Sequence, residues 1–206
     1  MKAAPATIMI VAALLVVFGM ELATHTVGSE VSLLKLGALP DNGELRGQYW
    51  RLATYSFLHF NGAHLVINVL LLSWVGRIVE KQVKMAPTGA IYSCSVLSSA
   101  AVILLVHSLH PKVGATVGAS GGIFGLLAAA LVISYRHDAG SLDQQSRRRT
   151  WLWIVLLVGL GISFLPRISV AGHVGGIIGG ALPACIVRLR KSVQPNGSVA
   201  PYNPFL

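Results

Sequence analysis

Charged side chains are scarce in this sequence: Asp, Glu, Lys and Arg together make up only 11% of its 206 residues. A soluble globular domain carries about twice that share, roughly 25%. Hydrophobic residues make up 54% of the chain instead. The shortage of charge therefore excludes an ordinary soluble domain and indicates a membrane protein.

Cysteine is also rare, and its scarcity excludes two kinds of site. The two cysteines, Cys94 and Cys185, lie inside apolar segments and lack metal-ligand spacing, which argues against a disulfide framework and a zinc site. We predict that both are apolar filler residues. The chain also lacks the H-E-x-x-H motif of zinc hydrolases. We therefore expect no metal site and no cofactor.

Six apolar segments divide the chain, and most approach the ~20 residues that a membrane-spanning helix needs. They cover approximately residues 5–22, 64–79, 89–106, 113–133, 151–165 and 170–187. The pattern predicts an all-α polytopic membrane protein, with a six-helix transmembrane bundle forming a single domain over residues 1–206. Residues 23–62 are expected to form a folded outer loop, and residues 192–206 a cytoplasmic tail.

The net charge of +9 would suit nucleic-acid binding, but the basic residues follow the membrane instead. With the amino terminus inside, the cytoplasmic side receives 11 of the 16 Lys and Arg residues, namely Lys2, Arg77, Lys81, Lys84, Arg136, Arg147, Arg148, Arg149, Arg188, Arg190 and Lys191. This positive-inside bias places both termini in the cytoplasm. We therefore expect the chain to lie in a lipid bilayer and to bind no nucleic acid.

Four polar residues lie in apolar segments that run from the outside to the inside. His64 and Asn68 are four residues apart and project from one face of a helix, whereas Ser120 and His173 belong to the fourth and sixth segments. His64, Ser120 and His173 lie in the first third of their segments, so they share one depth. Because polar groups are costly in a bilayer, this favours a functional role. As alternatives, Ser120 could be a packing residue, and His64 with Asn68 could hydrogen-bond a neighbouring helix.

Glycines spaced four apart accompany two of these residues. They lie in the fourth segment at Gly118, Gly121, Gly122 and Gly125, and in the sixth at Gly172, Gly175, Gly176, Gly179 and Gly180. Such stripes of small residues let two helices approach closely. Together with the shared depth, they predict that Ser120 and His173 form a pair.

A paired serine and histidine have a definite chemistry, because a histidine can take the serine proton and create a nucleophile. The sequence around Ser120 matches the G-x-S-x-G pattern of hydrolases, without its strand-to-helix context. No Asp or Glu lies at this depth in any segment, so we predict a dyad of Ser120 and His173. Asn68, His64 and the N–H of Ser120 are expected to stabilise the oxyanion of an acyl-transfer intermediate.

A series of short motifs runs in order along about residues 33–185. The motifs are Trp50-Arg51, His59, His64-x-x-x-Asn68, Gly76 with Glu80, Gly118-x-Ser120-Gly121 and His173-x-x-Gly176. Together they resemble the rhomboid family of intramembrane serine proteases in its six-helix bacterial form. The resemblance implies Ser120 as nucleophile, His173 as general base, and His64 with Asn68 in the oxyanion hole.

The resemblance also implies supporting roles for several other residues. His59 would be a structural loop histidine, and Trp50 and Arg51 would belong to a membrane-embedded outer loop. Phe124, one turn after Ser120, would stack on His173 at a position where the family often has Tyr. In addition, we expect Glu80 to form a surface or loop-tethering pair with Arg77.

The sequence therefore predicts an intramembrane serine endopeptidase that cleaves transmembrane proteins in or near their membrane segments. The alternatives are an inactive relative that binds and escorts membrane helices, and a small transporter. We expect a bacterial inner (plasma) membrane location and an active site open to the outer side; the oligomeric state is not predicted. The fifth segment is the shortest and ends at Pro166, so its outer end is predicted to be loosely held and to admit the substrate.

Overall fold

Eight α-helices and a two-stranded sheet make up the described part, residues 4–136, 142–165 and 168–189, of a computed structural model. The helices are α1 (Pro5–Ala23), α2 (Glu30–Leu36), α3 (Arg51–Thr54), α4 (Gly62–Val83), α5 (Met85–Leu109), α6 (Ser120–Arg136), α7 (Leu142–Ile162) and α8 (Val170–Ile186). The strands are β1 (Leu39–Pro40) and β2 (Ala115–Thr116), and a 3-10 turn (Tyr55–Phe57) follows α3.

Six long helices correspond to the six predicted segments and confirm an all-α membrane bundle. Within the described ranges, α1, α4 and α5 are long and apolar enough to cross a membrane, and α6 and α8 are apolar helices of 17 residues each. The remaining long helix, α7, has a charged first part and an apolar second part. The predicted cytoplasmic tail, residues 192–206, and Pro166 lie outside the described residues.

Two predicted segments differ most from the helices in the structure, by seven residues or more at their starts. α6 begins at Ser120 rather than at Val113, because the residues before it form β2 and a turn at Gly118. α7 begins at Leu142 rather than at Trp151, because the helix continues through charged residues that a hydropathy pattern does not count. With 21 residues, α7 as a whole is longer than α6 and α8, because the helix extends through charged residues before the short apolar segment.

Helix α6 lies at the centre of the bundle, where it contacts α4, α5, α7 and α8. Its contact with α8 depends on glycine: a Cβ on Gly176 would overlap the backbone of Gly121, and a Cβ on Gly180 would overlap that of Gly125. Both pairs advance by four residues in the same direction, so the two helices run parallel with their backbones in contact. The first residues of α6 and of α8 are therefore neighbours.

The long connection between α1 and α4 fixes the turn that precedes α6. Its strand β1 pairs antiparallel with β2, with Leu39 opposite Thr116. Two residues after β2, the N–H of Gly118 donates a hydrogen bond to the carbonyl of Tyr55 at 3.0 Å. Since Tyr55 is itself buried and donates its hydroxyl to the carbonyl of Val96, the turn is attached to the core of the bundle.

Glu80 of α4 is buried, with 4% of its surface exposed, so the expected surface pair with Arg77 was wrong. Its carboxylate accepts hydrogen bonds from the N–H groups of Ala6 and Thr7 and from the Thr7 hydroxyl, at 2.9–3.0 Å. These donors belong to the first turn of α1, where N–H groups lack partners within the helix and the helix dipole favours a negative charge. Glu80 therefore caps α1 from another helix.

We expect Glu80→Ala to lower the free energy of unfolding by about 2–4 kcal/mol, because it removes three hydrogen bonds to one charge and leaves α1 uncapped. Denaturant unfolding in micelles measures this. The matched control is Glu44→Ala, since Glu44 pairs with Arg46 while both side chains are largely exposed. The control should change the stability by less than about 0.5 kcal/mol, and equal losses in the two variants would contradict the capping role.

Candidate active site

Ser120 and His173 are in direct contact, although 53 residues separate them in the sequence. Ser120 is the first residue of α6 and His173 lies in the first turn of α8, and the parallel packing of these helices brings the two together. The Oγ of Ser120 lies 2.9 Å from Nε2 of His173. His173 is buried, whereas Ser120 is partly exposed. The geometry suits proton transfer from the hydroxyl to the ring.

The imidazole of His173 is held against the ring of Phe124. The two rings stack with their centroids 3.9 Å apart and their planes 12° from parallel. Gly159 of α7 lies behind Phe124, where an added Cβ would come within 2.7 Å of Cζ. Phe124 therefore lies between the imidazole of His173 and helix α7, which supports its ring from behind.

Ser163 is a neighbour of His173 that the sequence did not predict. It lies in the turn directly after α7, is buried, and has its Oγ 2.5 Å from Nδ1 of His173. A serine just after an apolar run carries no periodic or motif signal, so only the folded arrangement of α7 and α8 reveals this contact.

His64 and Asn68 of α4 face the turn that leads to Ser120. A Cβ on Gly118 would come within 2.7 Å of His64 Cε1, so glycine leaves room for this imidazole, whereas Asn68 Nδ2 would lie at an ordinary contact distance of 3.8 Å. Gly118 also has a φ of +122°, a conformation that other residues rarely adopt. The prediction that Gly118 belongs to the site thus has two structural reasons, the space and the backbone angle.

Two kinds of hydrogen-bond donor point into the space beside Ser120. Asn68 is 3% exposed, and its Nδ2 has no partner among the residues that the structure describes. A buried amide group without a partner costs free energy, so its retention needs an explanation such as a ligand that it binds. In addition, α6 begins at Ser120, so its first N–H groups have no acceptor within the helix.

His59 lies beside His64 and is fully buried. Its backbone N–H donates to Oε1 of Glu21 at 2.9 Å, its Nδ1 contacts the Phe57 carbonyl at 3.1 Å, and its ring meets the His64 ring edge-on, with the centroids 5.1 Å apart. Burial and the nearby His64 lower the pKa of His59 to about 4, so the ring stays neutral at pH 7. These contacts fit the predicted structural role of His59, which supports the His64 ring through the edge-on contact.

The described ranges hold no group of three or more His, Cys, Asp or Glu side chains that could bind a metal ion. The site therefore consists of a serine, histidines, an amide side chain and backbone N–H groups. Such a set can supply a nucleophile, a base and donors for an oxyanion, which are the parts that acyl transfer requires.

Comparison with known families agrees with this arrangement. A family model described as the rhomboid domain matches residues 46–190, which contain all of the site residues above. The chain belongs to the rhomboid family. The resemblance found in the sequence is thereby confirmed.

The relatives of this rhomboid come from several kinds of organism. It is 33% identical to RHOMBOID-like protein 5 of Arabidopsis thaliana over 77% of this chain and 50% of the relative. It is 32% identical to the rhomboid protease GluP of Bacillus subtilis over 78% of this chain and 30% of the relative. A human relative, Rhomboid-related protein 3, is 27% identical over 70% of this chain and 38% of the relative. The chain thus matches half or less of the length of these relatives.

Trp50 and Arg51 lie away from the dyad of this rhomboid, in the connection between α1 and α4. The Arg51 guanidinium donates to the carbonyls of Leu34 and Ala38 at 2.6 Å each, which closes the segment around α2. Trp50 is 58% exposed, as an aromatic side chain at a membrane interface is expected to be. The two residues therefore shape the loop and do not contact Ser120 or His173.

Proposed function

We propose that this rhomboid is an intramembrane serine endopeptidase that cleaves transmembrane proteins in or near their membrane segments. The contact between Ser120 Oγ and His173 Nε2 carries the proposal. It places a base within hydrogen-bond reach of a serine that is otherwise a poor nucleophile. The printed name of the relative GluP, a rhomboid protease, supports the same reaction class.

The reaction divides into acylation and deacylation. In acylation, Ser120 Oγ attacks the peptide carbonyl carbon while its proton passes to His173 Nε2, and the same nitrogen then protonates the leaving amine. This leaves an ester between Ser120 and the amino-terminal part of the substrate. In deacylation, water attacks the ester carbon and gives a proton to Nε2. The ester bond to Ser120 Oγ then breaks, and Nε2 returns the proton to this oxygen. Phe124 keeps the imidazole in one plane throughout.

The developing oxyanion would lie between α4 and the start of α6. Asn68 Nδ2 has no partner among the described residues, and the Ser120 N–H, at the start of α6, has no acceptor within its helix, so both can bind the oxyanion as charge develops. His64 borders the same space through its contact with Gly118, and we assign it as a further donor. Because the donors are fixed before the reaction begins, they need little rearrangement in the transition state.

The chain is an integral membrane protein, and its charge distribution suggests an orientation. The amino-terminal ends of α4, α6 and α8 carry the site, and the positive-inside rule places these ends on the outer side. The proposal is therefore a bacterial inner membrane enzyme with cytoplasmic termini and a site that receives water from outside. A helical substrate hides its peptide bonds in hydrogen bonds, so it must unwind locally before Ser120 attacks.

Cleavage of transmembrane proteins tests the proposal against an inactive escort protein and a transporter. The full chain and its Ser120→Ala variant are reconstituted in liposomes with a panel of tagged single-span membrane proteins. We expect fragments only with the wild type, at equal amounts of folded enzyme. If no substrate gives a difference, the escort function gains support. A transporter is disfavoured because the ionisable groups of the site collect at one end of the bundle, and the buried carboxylate at the other end, Glu80, is occupied in capping α1.

The substrate is expected to enter between α4 and α7. An open groove of ≈ 560 Å³ separates these helices, and it is lined by Leu71 and Trp74 of α4 and by Trp151 and Val155 of α7, among others. About one turn closer to the dyad along each helix, Ile67 of α4 and Val158 of α7 are both more than half exposed. A disulfide between cysteines at these two positions should block cleavage of membrane substrates, and reduction should restore it.

Each single-cysteine variant, treated with the same oxidant, is the control for the cross-link. The native Cys94 and Cys185 are free and exposed, so both are first replaced by alanine. The extent of cross-linking is read from a mobility shift after cleavage of the α4–α7 connection at an engineered protease site. Normal cleavage of membrane substrates by the fully cross-linked enzyme would place the entrance elsewhere.

A further inference from the structure

The imidazole of His173 has a hydrogen-bonding neighbour on each of its two nitrogens. Nε2 contacts Ser120 Oγ at 2.9 Å, and Nδ1 contacts Ser163 Oγ at 2.5 Å. Ser163 is 1% exposed, so water does not compete for this contact. The ring is therefore held between two serines, one from α6 and one from the turn after α7.

The direction of the second hydrogen bond follows from a third atom. Ser163 Oγ also lies 2.7 Å from the carbonyl oxygen of Gly159, which can only accept a hydrogen bond. A hydroxyl has one proton, and Ser163 donates it to Gly159. What Ser163 offers to His173 Nδ1 is a lone pair, so Nδ1 carries the proton of the neutral ring. Nε2 is then the unprotonated nitrogen, and its lone pair faces Ser120.

We infer that Ser163 is a positioning residue, which sets the tautomer and orientation of His173 so that Nε2 acts as the base. The inference rests on the proposed function and extends the predicted dyad to Ser120, His173 and Ser163. In a Ser-His-Asp triad, the Asp carboxylate accepts a hydrogen bond from Nδ1–H and also stabilises the imidazolium through its negative charge. A serine hydroxyl fixes the tautomer in the same way but supplies no negative charge, so its effect on the rate is smaller.

Phe124 does not duplicate this role. Its ring stacks on the face of the imidazole and restricts the tilt of the ring, but it offers no acceptor to either nitrogen. The choice between the two tautomers therefore falls to Ser163. Ser163 is itself fixed to α7, because its backbone N–H and its hydroxyl both donate hydrogen bonds to the Gly159 carbonyl.

The kinetic test compares Ser163→Ala with Ser163→Thr on a membrane substrate. We expect Ser163→Ala to lower kcat on the order of 10-fold with little change in KM, the size that one neutral hydrogen bond implies. Ser163→Thr keeps the hydroxyl and should recover most of the rate. Ser108→Ala is the matched control, since Ser108 also bonds a carbonyl of its own helix and is exposed. The inference would be overturned if Ser163→Ala had the kcat of the wild type. It would also be overturned if Ser163→Ala and Ser163→Thr lost equal amounts of kcat.

A spectroscopic test needs no proteolysis and so separates this inference from the proposed function. The nitrogen signals of [15N]histidine-labelled protein are recorded in a Ser120→Ala background, and the His173 signals are identified from their loss in His173→Gln. We expect a neutral His173 with its proton on Nδ1, and a shift of the proton towards Nε2 when Ser163→Ala is added. A His173 protonated on Nε2 before Ser163 is changed would refute the inference. If the Ser163-dependent tautomer is found but no substrate is cleaved, the proposed function fails and the positioning role stands.

Discussion

Ser120→Ala and His173→Ala should each abolish cleavage, with losses in rate on the order of 10⁴-fold or more. Without the Ser120 hydroxyl there is no nucleophile, and without His173 no base lies within 2.9 Å of it to take the proton. Because the two residues act as a unit, the double variant should be no slower than either single variant. Initial rates of cleavage in liposomes measure all three.

The comparison requires that each variant remain folded, which thermal unfolding in micelles checks. Phe124→Leu is an informative third variant, because it removes the ring stacked on His173 and leaves the Ser120 hydroxyl and the imidazole in place. It should retain measurable activity. Substantial cleavage by His173→Ala, within a few-fold of the wild type, would mean that another group accepts the Ser120 proton.

Asn68→Ala should reduce kcat by about 10-fold to 1,000-fold, because losing one oxyanion donor costs about 100-fold to 1,000-fold and the other donors compensate in part. The buried Nδ2 of Asn68 has no partner within the described residues, so the folded state loses little when it is deleted. The loss should fall on kcat rather than on KM, because the oxyanion exists only after attack has begun. Steady-state kinetics on one membrane substrate separate the two constants.

The matched control is Asn42→Ala, which removes an exposed asparagine whose side chain accepts only a local hydrogen bond from the N–H of Glu44. It should leave kcat unchanged. If Asn68→Ala instead lowers stability by several kcal/mol and leaves kcat per folded molecule unchanged, Asn68 is a structural residue between helices. That is the alternative that the sequence leaves open.

Much of the bundle could be predicted because its signals are local. A run of apolar residues indicates a spanning helix wherever it packs, and glycines four apart on two such runs indicate a close contact. The contacts of Gly121 with Gly176 and of Gly125 with Gly180 follow from those stripes, and the meeting of Ser120 and His173 follows from them in turn.

The residues whose roles sequence analysis assigned wrongly or missed depend on contacts between elements that are distant in the chain. Glu80 looks like a surface charge at a helix end, and only the position of α1 reveals that it caps Ala6 and Thr7. Ser163 is one of many serines, and its role depends on the turn after α7 reaching the Nδ1 of His173. No periodicity or motif in a single sequence carries such information.

Covalent labelling tests most directly whether Ser120 is a nucleophile activated by His173. A fluorophosphonate reacts with activated serines, and mass spectrometry of the digested protein locates the adduct without any knowledge of the substrate. We predict an adduct on the peptide that contains Ser120, no adduct on peptides with Ser95 or Ser99, and a loss of labelling of at least about 100-fold in His173→Ala. Folded wild-type protein that stays unlabelled at Ser120, or labels equally well in His173→Ala, would contradict the account.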